Sequence, residues 1–102
     1  MTEDSLRSLV LAANLLDVKR VCVVQHTDCA MVGSTDEEMR ARVSAASGAD
    51  ATGWNFLAST DQLATLRADL AVIESCALLP AELQVGAFIF DVHSGELVRV
   101  DN

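Results

Sequence analysis

A histidine and a cysteine three positions apart, His26 and Cys29, carry the most distinctive chemistry of this chain. Imidazole nitrogen and thiolate sulfur are both good zinc ligands, and a thiolate is favoured where a cysteine opens a helix beside an imidazole. The pair predicts a metal site. H-x-x-C is a weak motif by itself, however, and the alternative is a loop in which His26 bonds backbone and Cys29 is a small buried residue.

The remaining ligands of such a site are not evident from the sequence. Cys22 lies in the same predicted strand as His26, roughly 13 Å away at the rise of a β-strand, which is too far. Cys76 is expected in a late helix as a structural thiol. Asp28 can reach a metal in principle, but capping the following helix is the favoured role. His93 falls in a predicted turn and is expected to face solvent.

The pair follows an apolar strand, which itself follows a helix. The helix is predicted from Thr2, whose hydroxyl caps a first turn containing two acids. Residues 20–25 include Val-Cys-Val-Val without alternation, which is typical of a strand covered on both faces in a parallel sheet. Ligands collect at the ends of such strands in open α/β sheets, so the predicted strand would position His26 for binding.

Helical segments and two further strands complete the predicted fold. In chain order these are a helical segment from Cys29, a loop over residues 44–53, a helix capped at residues 59–61, a strand over 86–90 and an edge strand over 97–100. The order predicts a single α/β domain over residues 1–102, with a mainly parallel sheet, a right-handed helical crossover and an antiparallel edge strand. Because a helix precedes the first strand, one flank of that strand is expected to be unpaired.

Composition restricts the partners and the compartment. Half of the 102 residues are hydrophobic, and the net charge of −8 leaves no basic patch for nucleic acid or an anionic membrane. Three cysteines are too few, and odd in number, for a disulfide framework. The sequence shows neither the pattern of a signal peptide nor an apolar run long enough for a membrane helix. A cytoplasmic protein is expected.

Several runs of this sequence resemble the β-class carbonic anhydrases. The central run is Val-Val-Gln-His-Thr-Asp-Cys-Ala-Met at residues 23–31, and it is similar to smaller bacterial members with H-T-D-C after the central strand. The other similar runs are residues 2–9, 16–19, 79–80, 85–92 and 94–97. Together they cover nearly the whole chain in the order of that family.

The resemblance implies a zinc enzyme of carbon dioxide and bicarbonate. In that family two cysteines and a histidine hold Zn²⁺, and zinc-bound hydroxide hydrates carbon dioxide reversibly. His26 and Cys29 match the second and third protein ligands. Members of the family form dimers or larger assemblies, and the unpaired strand flank also favours self-association here.

The departures from the family pattern weaken the expectation of activity. The C-x-D-x-R motif, which carries the first zinc ligand and an Asp–Arg pair, does not occur in this sequence, and Ala30 replaces a usual glycine. We therefore expect a truncated carbonic anhydrase-like chain with weak or absent activity and assign no catalytic residue. The alternatives are a non-catalytic binding or assembly module of the same fold and, less favoured, a redox-active Cys29 without metal.

Overall fold

A computed structural model describes residues 1–100 of the chain. The described elements are α1 (Glu3–Leu15), β1 (Arg20–His26), α2 (Asp36–Ser47), α3 (Gln62–Ser75), β2 (Gln84–Phe90) and β3 (Leu97–Val100). Their contacts divide the chain into two compact units. Residues 28–62 form one, which we call the α2 unit, and the residues before and after it form the other, which we call the sheet unit.

The sheet unit contains a three-stranded sheet in the order β1-β2-β3. β1 and β2 are parallel over their full lengths, with Val23 opposite Ala87 and His26 opposite Phe90, and β3 runs antiparallel to β2. This confirms the predicted α/β class, the mainly parallel sheet and the antiparallel edge strand. β1 lies at the other edge, so among the described residues one of its flanks has no neighbouring strand, as its place after a helix predicts.

The core of the sheet unit lies between α3 and one face of the sheet. Leu66 is fully buried, and with Leu70 it packs against Ala87 of β2. Val23 of β1 and Ile89 of β2, which point to the same face, surround this cluster. The leucine spacing in α3 thus generates the apolar stripe that anchors the parallel pair, and with it the end of β1.

The prediction that β1 is covered on both faces is wrong. Exposure alternates along the strand: Val23 is partly buried, whereas Cys22 and His26 are exposed and Val24 retains 49% of its accessible surface. α3 covers one sheet face, and α1 buries none of its own residues. A run of valines is equally suited to a covered and an uncovered face, so the sequence pattern could not distinguish them.

The second helix begins later than predicted. α2 starts at Asp36 rather than near Cys29, because Thr35 caps it by accepting a hydrogen bond from the Glu38 N–H at 3.2 Å, while its hydroxyl donates to the Glu38 carboxylate at 3.3 Å. Thr35 and Glu38 stand at the N-cap and N3 positions of a capping-box sequence, and the Glu38 carboxylate here bonds the Thr35 hydroxyl rather than its backbone N–H. The helix then continues into the predicted loop and ends before Gly48, whose φ of 74° lies in the left-handed region.

Candidate metal centre

His26 is the last residue of β1, and one of its ring nitrogens forms a hydrogen bond with the backbone. The Nδ1 atom lies 2.8 Å from the carbonyl oxygen of Thr27. A carbonyl only accepts, so Nδ1 carries the proton, and the lone pair of the neutral ring is on Nε2. Metal-binding histidines typically donate their other ring N–H to a carbonyl or carboxylate in this way. The tautomer of His26 therefore suits Nε2 ligation.

Thr27 ties the end of β1 to the end of β2. Its backbone N–H donates to the Phe90 carbonyl at 2.9 Å, and its hydroxyl accepts from the Val92 N–H at 3.1 Å. The residue that orients the His26 ring is thus held by both its backbone and its side chain. The sequence does not mark Thr27 as a positioning residue, because a threonine after a strand has no distinctive spacing.

Cys29 is partly buried and lies in the α2 unit, whereas His26 lies in the sheet unit. The boundary follows Thr27, where Asp28 adopts a φ of 52°, a left-handed conformation that aspartate tolerates better than most residues. The Cys29 carbonyl accepts from the Val32 N–H at 3.0 Å in a turn. Two predictions are therefore wrong: Cys29 does not open a helix, and Asp28 does not cap one.

The described residues do not supply a complete zinc centre. Across residues 1–100, no group of three or more His, Cys, Asp or Glu side chains is placed to hold a metal. Catalytic zinc sites use three protein ligands and structural ones use four. His26 and Cys29 therefore remain predicted ligands, and they cannot form a closed site by themselves.

The other candidates occupy ordinary structural positions. All three cysteines are free thiols, with Cys22 exposed on β1 and Cys76 partly buried just after α3 rather than within it. His93 is exposed in the turn between β2 and β3, as predicted. Its backbone N–H donates to the Asp91 carboxylate at 2.8 Å and, together with the Ser94 N–H, lowers the pKa of that carboxyl below its usual value.

An aromatic pair lies within the α2 unit. Trp54 and Phe56 stack with centroids 6.3 Å apart, and together with Val43 and Ala51 they line an apolar depression of about 260 Å³. Trp54 is 64% exposed, so its side chain is not part of a buried core.

Asp36 holds the segment that carries this aromatic pair. Its two carboxylate oxygens accept from the backbone N–H groups of Ala58 at 2.7 Å and Phe56 at 3.2 Å. Arg40, one helical turn later, donates from Nε to the Trp54 carbonyl at 2.6 Å. The first turn of α2 thereby fixes the backbone of a loop that has no regular structure of its own.

Fold comparison defines the class of protein. The chain superimposes on a crystal structure of carbonic anhydrase from Streptococcus mutans with a TM-score of 0.89 and 30% identity, covering 99% of this chain and 61% of that one. A carbonic anhydrase from Glaciozyma antarctica gives a TM-score of 0.79 at 25% identity, covering 96% and 60%. The fold is therefore that of the β-carbonic anhydrases.

Sequence comparison leads to the same family. The chain is 29% identical over 100 residues to Beta-carbonic anhydrase 1 of Mycobacterium tuberculosis and of Mycobacterium bovis, which covers 98% of this chain and 61% of theirs. A shorter stretch of 39 residues is 44% identical to a carbon disulfide hydrolase of an Acidianus strain, covering 38% of this chain and 19% of that one. No family model matches. The chain is a homologue of the β-carbonic anhydrases, and it spans about three-fifths of the length of the relatives it matches.

Proposed function

We propose that this chain is a zinc-binding, carbonic anhydrase-like protein in which His26 and Cys29 are the zinc ligands. The observation that carries the proposal is the hydrogen bond from His26 Nδ1 to the Thr27 carbonyl, which suits Nε2 for a metal. Cys29 is three residues further on, so chain connectivity limits the distance between the two Cα atoms to about 11 Å. The homologues named carbonic anhydrase support carbon dioxide and bicarbonate as the substrate class.

We further propose that the 102-residue chain hydrates carbon dioxide weakly or not at all. Two protein ligands hold a metal less firmly than three, and the C-x-D-x-R motif is absent from the sequence. Three free thiols and the absence of a membrane-spanning helix from the described residues are compatible with the cytoplasmic location that we also propose.

Zinc titration of the purified chain tests the ligand assignment. Isothermal calorimetry is expected to give one zinc per chain, with binding lost in His26→Ala and in Cys29→Ser. Cys22→Ser and His93→Ala are matched controls, since each changes an exposed residue of the same type at another position, and both should retain binding. Equal zinc binding by all four variants would overturn the assignment. Stopped-flow carbon dioxide hydration, measured in parallel, is expected near the uncatalysed rate.

A second candidate function is a non-catalytic assembly module that forms homodimers or larger assemblies. The observation that favours it is that residues 1–100 place no strand beside one flank of β1 and leave Val24 49% exposed, since such edges template pairing with another chain. Sedimentation velocity tests it: concentration-dependent association is expected, and a monomer across the accessible range would contradict it.

A further inference from the structure

The apolar depression of the α2 unit has one charged side chain in its wall. Four apolar residues line it, Val43, Ala51, Trp54 and Phe56, and Asp50 is the only acid or base among the described residues that join them. All of these fall within residues 28–62, so the depression lies inside a single compact unit. Its volume of about 260 Å³ is below the range typical of sites for drug-sized molecules, which restricts it to a small ligand.

The carboxylate of Asp50 is held in place and ionised. Its Oδ1 accepts from the Thr52 hydroxyl at 2.6 Å and from the Thr52 backbone N–H at 2.9 Å. These two hydrogen bonds lower the pKa of the carboxyl below its usual 3.8, because they stabilise the charged form. Both end on Oδ1, so Oδ2 keeps its capacity to accept from a ligand. Asp50 therefore adds a negative charge at neutral pH to an otherwise uncharged wall.

Two aromatic rings form part of the same wall. The planes of Trp54 and Phe56 are only 12° apart, so their π faces point in the same direction. The face of an aromatic ring attracts cations, and that of tryptophan does so most strongly. Arg40 lies outside this wall, where its guanidinium donates to the Trp54 carbonyl and lies 3.6 Å from the Asp36 carboxylate. The backbone behind the rings is thus already fixed, which lowers the cost of ordering it when a ligand binds.

We propose that this depression binds a small organic ammonium ion. The alkyl carbons of the ligand contact the apolar residues of the wall, and its ammonium group donates to Oδ2 of Asp50 beside the Trp54 ring. A neutral molecule of the same shape gains only the apolar contacts, and an anion is repelled by the carboxylate. The site shares no residue with the His26 and Cys29 pair, so binding there does not require zinc.

Titration of the zinc-free 102-residue chain with n-butylammonium tests the site, with n-butanol as the neutral isostere. At constant ionic strength and neutral pH, the backbone amide NMR signals of residues 49–52 and the indole N–H signal of Trp54 are expected to shift and saturate. n-Butanol should bind at least about twofold to fivefold more weakly, since it lacks the charge that Asp50 and the aromatic rings attract.

Two variants separate the contributions of the carboxylate and the ring. Asp50→Asn removes the charge but keeps a side-chain oxygen to accept from Thr52, and Trp54→Leu removes the π face but keeps an apolar side chain. Each is expected to weaken n-butylammonium binding about twofold to fivefold, as reported by the signals of residues 49–52. Glu37→Gln is the matched control, because it removes an exposed carboxylate of the same unit outside the depression, and it should leave binding unchanged. Circular dichroism verifies that all three variants fold.

The outcomes distinguish a built site from attraction to an acidic chain. Equal affinities for n-butylammonium and n-butanol, or undiminished binding in Asp50→Asn, overturn the proposal. A loss in Glu37→Gln as large as in Asp50→Asn assigns the effect to the net charge of −8 and overturns it as well. Zinc binding by His26 is measured on other variants and does not depend on these results.

Discussion

The backbone N–H of Val92 donates to the hydroxyl of Thr27 at 3.1 Å, although the two residues are 65 positions apart in the sequence. Thr27 follows β1 and Val92 follows β2, so this hydrogen bond joins the carboxyl ends of the parallel pair. It also holds the residue whose carbonyl orients the ring of His26. The candidate ligand is thus positioned through the second strand as well as through its own.

Replacing the threonine hydroxyl is expected to loosen this end of the sheet. Thr27→Val keeps the side-chain shape but leaves the Val92 N–H without its acceptor, which costs about 1 kcal/mol in the free energy of unfolding. Urea denaturation followed by far-UV circular dichroism measures the change. Zinc affinity should fall by less than in His26→Ala, because the backbone carbonyl of residue 27 remains. Thr60→Val, at an exposed position in the α2 unit, serves as the control; an equal loss there would contradict the assignment.

Two leucines of α3 are expected to differ sharply in how much they contribute to the stability of the fold. Leu66 is fully buried against the sheet, whereas Leu63, on the preceding turn, is 42% exposed. Leu66→Ala should therefore lower the free energy of unfolding by about 2–5 kcal/mol through lost burial and a residual cavity. Leu63→Ala should cost well under half of that. Thermal unfolding of the two variants side by side measures the contrast, and equal losses would show that α3 does not pack as described.

These two leucines also show how far the sequence could predict the core. The spacing of Leu63, Leu66, Leu70 and Ile73 predicts one apolar face, and the last three are buried. Leu63 is not, because periodicity identifies a face but not where the layer opposite it ends. The α/β class, the parallel pair and the antiparallel edge strand were predictable for a similar reason, since each depends on local apolar runs and turn residues.

The errors fall where the deciding partner is distant in sequence or absent. The sequence does not reveal that residues 1–100 leave one face of β1 without a covering layer, since valines suit both a covered and an uncovered face. The helical segment predicted from Cys29 begins too early, although Thr35 and Glu38 stand in the sequence at the spacing that marks the first turn of α2. A third ligand for the candidate metal centre could not be predicted, because no motif in the given sequence supplies one.

A carboxylate at the start of α2 is expected to control the conformation of the aromatic loop. In Asp36→Asn only one side-chain oxygen remains to accept from the backbone N–H groups of Phe56 and Ala58. One of the two N–H groups therefore loses its charged acceptor. We expect a loss of about 1–3 kcal/mol in the free energy of unfolding. Trp54 is the single tryptophan, so its fluorescence reports the loop directly. Glu37→Gln, one residue later on an exposed position, should leave the spectrum unchanged; a comparable shift would assign the effect to helix charge instead.

The lowered pKa of Asp91, in the turn between β2 and β3, predicts that this turn stabilises the fold less as the pH falls. The N–H groups of His93 and Ser94 lower the pKa of its carboxyl below the usual 3.8, since they stabilise the charged form. A group whose pKa is lower in the folded state stabilises the fold above the unfolded-state value, and this contribution is lost as pH falls through the folded-state value. The fold should therefore lose stability below about pH 4, and Asp91→Asn should flatten that part of the profile.

Acid titration of the free energy of unfolding between neutral pH and pH 2 measures this component. Because the Asp91 side chain remains accessible to solvent, which screens its charge, the effect is a change in the shape of the profile rather than a large loss at neutral pH. Glu82→Gln, which removes an exposed carboxylate before β2, is the matched control and should leave the profile unchanged. If Asp91→Asn and wild type lose stability in parallel below pH 4, the turn does not contribute. The loss of stability at low pH then arises from another carboxylate. Asp50 is the next candidate, because hydrogen bonds from Thr52 also lower its pKa.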